Sequence, residues 1–392
     1  MVKALYSPDM SLRTSLQDAV IASLPKTDLE LTFFHRAIER SVHDFESKLN
    51  SFGLLPRNAA GDETVKFLSL QLESLPDIFV TERRKEILSR AREIILADYH
   101  NSMLAAGDAT EDDPASAGDI GDLKAMIEQS GSFAMQALRF DPCQVSLAAC
   151  RVLQLVHEVM KQGCASSAEL ARVLYHCARD SLELFIAIVP VKFQHIIATV
   201  PRMGAVFFND CAYIAHNCVL ITHQYREDLG KANAALMDAC GFIDFIARFR
   251  SIGEQVLAAH LDEQKKTFEA LIDRINLHPV GETETSRHDR SVLNDEEGAS
   301  LIVKHFQKLS GQWRDVLQEP VLDRLQGHLV DSVLRKLMTP LLQELHYLAL
   351  YAPELHLSRR NAYPSRRGRT STAYSKLLCE CGLVCAILQR MP

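Results

Sequence analysis

The sequence predicts an all-α fold, and three observations carry it. Glycine and proline are scarce, at 17 Gly and 14 Pro in 392 residues, about 4% each where roughly 7% and 5% are usual. Helices can therefore run far before meeting a residue that breaks them. Aromatic residues make up 7% of the chain and tryptophan occurs once, which disfavours a sandwich or barrel of aromatic and β-branched strands. Apolar residues recur every three or four positions over most of the length, the period of one helix face.

The elements follow in order. Leu31, Phe34, Ile38, Val42, Phe45, Leu49 and Phe52 predict an amphipathic helix over 31–52. Thr27-Asp28-Leu29-Glu30 reads as a capping box at its start, and Gly53 as its left-handed stop. A helix follows near 63–73 and a stronger one near 81–104. On the latter, Arg83, Arg84, Lys85, Arg90 and Arg92 interleave with Glu82, Glu86 and Glu93, which reads as a solvated face. Residues 105–122 hold six acids and no base among Gly, Pro, Ser and Ala, the composition of an exposed acidic linker.

The body reads as helices near 123–139, 143–162, 167–189, 191–199, 203–228, 232–248 and 250–276. Ser166-Ser167-Ala168-Glu169 reads as a second capping box. Pro190 and Pro201 should each end or kink a helix, because proline lacks the amide donor and crowds the preceding turn. A polar linker spans 279–296. A helix near 296–317 carries Leu301, Phe306, Leu309 and Trp313, and Gln318-Glu319-Pro320 turns the chain into a last helix from Leu322 to about Leu348, interrupted by Pro340. Residues 358–370 hold five Arg and no acid, and 377–388 are apolar and Cys-rich. The expected organisation is an N-terminal helical block (1–104), a main helical bundle (123–278), a C-terminal helical segment (297–352) and a disordered basic, Cys-rich tail (353–392).

Composition excludes several function classes. A net charge of −7 and a pI near 6.1 disfavour general nucleic-acid binding, which needs a basic footprint. The first residues lack the apolar run of a signal peptide, and no stretch reaches about 18 uncharged apolar residues, so no membrane span is expected. The ten cysteines then read as reduced thiols of the cytosol or nucleus.

Motifs that carry chemistry are missing. The sequence has no phosphate loop, no dinucleotide-binding glycine turn, no H-E-x-x-H and no nucleophile elbow. Cys211, His216, Cys218 and His223 are the densest group of ligand-type side chains, but no Cys–His pair among them has the i, i+4 spacing that brings two ligands to one ion. Cys379, Cys381 and Cys385 would need a distant fourth ligand such as His346 or His356. Acid pairs such as Asp112-Asp113 lie in linkers, where carboxylates are solvated. No catalytic residue, metal ligand, cofactor or small-molecule ligand is expected. Helices with apolar stripes joined by polar linkers suit a scaffold whose surfaces bind other helices.

One stretch is distinctive. From Tyr175 to Arg226 a helix ends in Val189-Pro190 and a short helix is closed by Pro201. Asn209-Asp210-Cys211-Ala212-Tyr213-Ile214-Ala215-His216 and His223-Gln224-Tyr225-Arg226 follow. In order and spacing this resembles the Zeste-white-ten family of kinetochore and vesicle-tethering subunits. The Arg84–Arg92 segment with His100-Asn101, the acidic Asn294-Asp295-Glu296-Glu297 and the Trp313-Arg314-Asp315-Val316-Leu317 turn resemble further family segments in the right order, so the likeness covers about residues 30–340. The resemblance implies an elongated rod of stacked helical bundles of the tethering-complex type, with no enzymatic activity. It implies action with Rod and Zwilch at kinetochores, supporting the spindle checkpoint and recruiting dynein–dynactin through dynamitin. In interphase it implies a peripheral place on the endoplasmic reticulum, among tether subunits and ER SNAREs that capture Golgi-derived vesicles. Pro190, Pro201, Asn209, Cys211, Tyr213, Ala215, His216 and Trp313 are its signature positions, expected to hold helix packing. The family's N-terminal coiled-coil region and its last helical region have no counterpart here, which predicts the middle of a longer rod and weaker partner binding. Two rivals stand beside this reading: a subunit of an exocyst or conserved-Golgi-type tether, and an all-α metal enzyme using Cys211, His216 and His223.

Overall fold

The computed structural model describes residues 18–20, 22–25, 28–55, 67–97, 99, 101–105, 140–239, 241–274 and 295–357. The acidic and polar linkers (apart from their end residues), the expected helix at 123–139, the Thr27 cap and the tail after 357 lie outside them. The described chain is all-α. Its helices are α1 (Asp28–Ser51), α2 (Phe67–Glu73), α3 (Leu75–Leu96), α4 (Leu147–Cys164), α5 (Ala168–Lys192), α6 (Gln194–Thr199), α7 (Pro201–Ala232), α8 (Ala234–Ala239), α9 (Ile243–Ile272), α10 (Asp295–Arg314) and α11 (Glu319–Leu357). Strands β1 (Ser102–Ala105) and β2 (Cys143–Ser146) pair antiparallel, with Ser102 opposite Ser146 and Ala105 opposite Cys143.

Local chemistry accounts for several boundaries. Gly53 has φ +63°; the Leu54 amide donates to the Leu49 carbonyl at 3.0 Å and the Gly53 amide to Asn50 at 2.9 Å. This is the Schellman stop, in which a left-handed glycine lets the last carbonyls of α1 be satisfied. Nearby, buried Glu46 accepts from the Leu68 amide at 2.8 Å and from the Ser69 hydroxyl, placing a carboxylate on the free amides at the start of α2. Val200 caps α7 in an extended conformation and Pro201 occupies its first turn, where a missing amide costs nothing.

The structure corrects some expected limits. The helix placed at 81–104 ends at Leu96, and 102–105 form a strand; likewise 143–146 are a strand before α4. These strands pair with each other from positions some 40 residues apart, which a local period cannot reveal. Pro190 does not end its helix at 189: α5 continues to Lys192, and the Phe193 amide still reaches the Val189 carbonyl at 3.0 Å. α11 likewise runs through position 340. The N-cap of α5 is Ser167, while the Ser166 hydroxyl donates back to the Gln162 carbonyl at 2.7 Å, so the expected box is not the cap. The break expected near 249 lies at 241–242, where Tyr175 and Arg179 donate to the Gly241 carbonyl and the Phe242 amide donates to Thr222 Oγ1 at 3.1 Å.

Three apolar clusters organise the described residues. The largest joins α3, α4, α5 and α7 with Phe245 and Phe249 of α9. A second joins α9, α10 and α11 to Ala205 and Val206 of α7. A small third joins Ala105, Phe140, Cys143, Val145 and Cys150, with Ala212 and Tyr213 of α7 packed on it. α7 thus serves all three, which explains why it is apolar on most of its circumference. By length and composition, with a mean hydropathy of 1.2, it could cross a membrane, but most of that window is buried against its neighbours, as in a core helix.

Candidate functional site

The most elaborate side-chain chemistry lies where the first half of α7 meets the strands and the α10–α11 turn. Asn209 is 1% exposed. Its Nδ2 donates to the Gln144 carbonyl at 2.8 Å and to the Val316 carbonyl at 2.7 Å. The Gln144 amide also donates to the Val316 carbonyl, at 3.1 Å. One asparagine on α7 therefore ties β2 to a turn that follows it by some 170 residues in sequence.

Asp210 sits beside it at 0% exposure. It accepts from the Tyr99 hydroxyl and, at 2.6 Å, from the Ser146 amide. Ser146 in turn caps α4, its hydroxyl accepting from the Ala149 amide at 3.1 Å. Burial pushes the Asp210 carboxyl up to about 7, opposed by the hydrogen bonds from Tyr99 and Ser146. Burial and the neighbouring carboxylate push the Tyr99 hydroxyl well above its ordinary value, so it remains a donor.

The other signature positions surround this junction. The Pro201 carbonyl accepts from Trp313 Nε1 at 3.3 Å, and Trp313 is 1% exposed. Cys211 lies against α9, where a Cβ on Gly253 would come within 2.9 Å of the Cys211 Cβ. Ala215 is buried. Tyr213 and His216 are half-buried and flank Phe140, with ring centroids 5.4 and 5.3 Å away. Pro190 stands apart, half-buried near the end of α5.

The arrangement does not suit metal binding or nucleophilic chemistry. His223 is exposed and Cys211 buried, and twelve helical residues separate them by roughly 18 Å. No group of three or more His, Cys, Asp or Glu among the described residues is placed to hold an ion. Burial raises the Cys211 thiol well above its ordinary value and the Cys143 and Cys218 thiols to about 12, whereas ligation and attack need a thiolate. Burial, then Arg250, lowers His216. What the site does is mechanical: two adjacent α7 residues pin three segments of chain, at Tyr99, β2 and the α10–α11 turn. Asn209 was marked by the sequence. Asp210 and Val316 stood inside the quoted segments without being singled out, and Tyr99, Gln144 and Ser146 were not marked, although a lone aspartate inside an apolar helix is a signal that could have pointed to a buried network.

Comparison with known proteins places this junction. A family model described as the C-terminal part of the centromere/kinetochore protein zw10 matches residues 138–270, which hold β2 and most of α4 through α9. The centromere/kinetochore protein zw10 homolog of Mus musculus is 22% identical over 345 residues, covering 83% of this chain and 42% of the relative. That of Arabidopsis thaliana is 22% identical over 323 residues, covering 81% and 39%. That of Caenorhabditis elegans is 24% identical over 223 residues, covering 51% and 28%. The chain thus spans about two fifths of the length of the mouse and plant relatives. With the matched segment holding the central helix α7, and with relatives in a mammal, a plant and a nematode, this chain is similar to the centromere/kinetochore protein zw10 homologs over most of its length.

Proposed function

We propose that this chain is a non-enzymatic scaffold of the kinetochore, acting with Rod- and Zwilch-type subunits in the spindle checkpoint, dynein recruitment through dynamitin, and chromosome segregation. One observation carries the reading: the segment that matches the zw10 C-terminal model is the segment built around α7. The relatives named for the centromere and kinetochore support the location. In the same reading the chain serves in interphase as a cytoplasmic subunit held peripherally on the endoplasmic reticulum, binding tether subunits and ER SNAREs. The blocks at 1–104, 123–278 and 297–352 would then be consecutive pieces of one rod, and the signature residues would act through packing. The chemistry of the junction agrees with a scaffold. Its carboxylate is closed to solvent with partners on both oxygens, and its thiols are held protonated.

The test is localisation of the fluorescently tagged chain through the cell cycle. Enrichment on kinetochores of unattached chromosomes and on reticular membranes in interphase is the expected result. Accumulation at the plasma membrane or the Golgi stack, with none at kinetochores, would favour an exocyst or conserved-Golgi tether instead.

A further inference from the structure

Away from the junction, a cleft of about 400 Å3 opens beside α3 and α5, lined by Arg84, Arg172, Val173, His176 and Asp180. Arg172, His176 and Asp180 stand four residues apart on α5 and so share one face. Arg84 reaches across from α3 and donates to Asp180 at 2.9 Å, yet its side chain stays 55% exposed. The other basic residues of this part of α3 are differently placed. Arg83, Lys85 and Arg90 pair with Glu86, Glu82 and Glu158. Arg172 is exposed and has no acidic partner among the described residues.

We infer that this cleft receives a carboxylate side chain of a partner protein. Two arginines and one aspartate leave one net positive charge in the lining, carried by the free guanidinium of Arg172. That guanidinium offers a planar fork of N–H donors suited to one carboxylate. Val173 supplies an apolar wall for the carbons of an acidic side chain. Asp180 fixes Arg84 and also limits the charge the cleft can accept. A singly charged carboxylate balances the lining, whereas a phosphate of charge near −2 exceeds its one net positive charge beside the Asp180–Arg84 pair. The chain as a whole is at −7, so attraction is confined to the cleft and falls off within about 8 Å at physiological salt. The inference stands on the cleft alone and does not need the kinetochore reading.

Fluorescence anisotropy with the purified full chain tests it, using fluorescein-labelled hexaglutamate, with hexalysine and a phosphoserine hexapeptide as further arms. Hexaglutamate should bind and hexalysine should not. Arg172→Glu should weaken hexaglutamate at least about ten-fold, the size of one lost charge-assisted contact. Lys304→Glu on α10 should change it less than two-fold. Asp180→Asn, which removes the negative wall, should tighten binding several-fold, an effect unfolding cannot produce. Arg172 is exposed, and an unchanged melting temperature confirms that its variant folds. Equal binding by wild type and Arg172→Glu, or none at millimolar peptide, overturns the inference. Arg172-dependent capture of the phosphoserine peptide without hexaglutamate overturns the carboxylate assignment in favour of a phosphorylated partner.

Discussion

Replacing Asp210 by Asn should change how stability depends on pH, and the sign can be worked out from two buried groups. The Asp210 carboxyl moves from 3.8 to about 7 on folding. Below about pH 4 it is protonated folded and unfolded, and its contribution is complete; as pH rises through 7 the contribution is lost, because the unfolded chain has already released the proton. A rise of about three units at 1.36 kcal/mol each is a loss of about 4 kcal/mol, at the upper end of what such a site delivers. His157 works the other way. Its ring, 3.1 Å from the Tyr225 hydroxyl, is lowered from 6.5 to about 4 by burial and then Lys161. Its contribution is complete above about pH 6.5 and is lost as pH falls through 4, about 3 kcal/mol in all. Between about pH 4 and 6.5 the two slopes oppose and nearly cancel in the wild type. Asn at 210 can still accept from the Ser146 amide and can donate to the Tyr99 oxygen, so the fold should survive. Urea unfolding followed by circular dichroism, in steps from about pH 4 to 7.5, gives the comparison. Asp210→Asn should gain stability with rising pH, and His157→Gln should lose it, relative to the wild type. Surface carboxylates are common to all three proteins and drop out of the differences. Parallel curves for wild type and Asp210→Asn would refute the reasoning.

Three further substitutions, the first beside a control, probe the junction and its surroundings. Asn209→Ala strands the Gln144 carbonyl, while the Val316 carbonyl keeps the Gln144 amide; a loss of about 2–3 kcal/mol in urea unfolding is expected, and less than about 1 for Asn217→Ala, whose amide only reaches back to Tyr213 within α7. Gly204→Ala would drive a methyl into the His260 ring, which bonds the Ile197 carbonyl, and should cost about 1–3 kcal/mol; a melting temperature equal to wild type would contradict the close packing of α7 on α9. Trp313→Ala removes the largest fully buried side chain and its bond to Pro201, with an expected loss of about 3–5 kcal/mol by the same unfolding assay.

How much of this was legible in the sequence differs from element to element. The long helices were, because apolar stripes such as Leu31 to Leu49 follow the helical period and Gly53 announces a stop. Pro201 was legible as a boundary because proline fits a first turn. Pro190 marked the end of α5 three residues early, since near a helix end one lost amide bond is outweighed by the burial of Phe185 and Val189 in the turn before it. The strands could not be read, because four residues carry little period and their partner lies across a long linker. The junction was half legible. Asn209 and Trp313 stand in the recognisable motifs, but the groups they meet, the Gln144, Val316 and Pro201 carbonyls, are backbone atoms that no side-chain pattern marks. The cleft was hidden for a related reason: Arg84 and Arg172 lie 88 positions apart, and only the packing of α3 on α5 brings them together.

The most direct test of the family-based reading is affinity purification of the tagged chain from mitotic and interphase cells, followed by mass spectrometry and elemental analysis. Rod- and Zwilch-type subunits in mitosis, ER tether subunits and SNAREs in interphase, and no stoichiometric zinc or iron are the predicted result. Exocyst or conserved-Golgi subunits without Rod or Zwilch, or a stoichiometric metal lost on replacing Cys211 or His216, would contradict it.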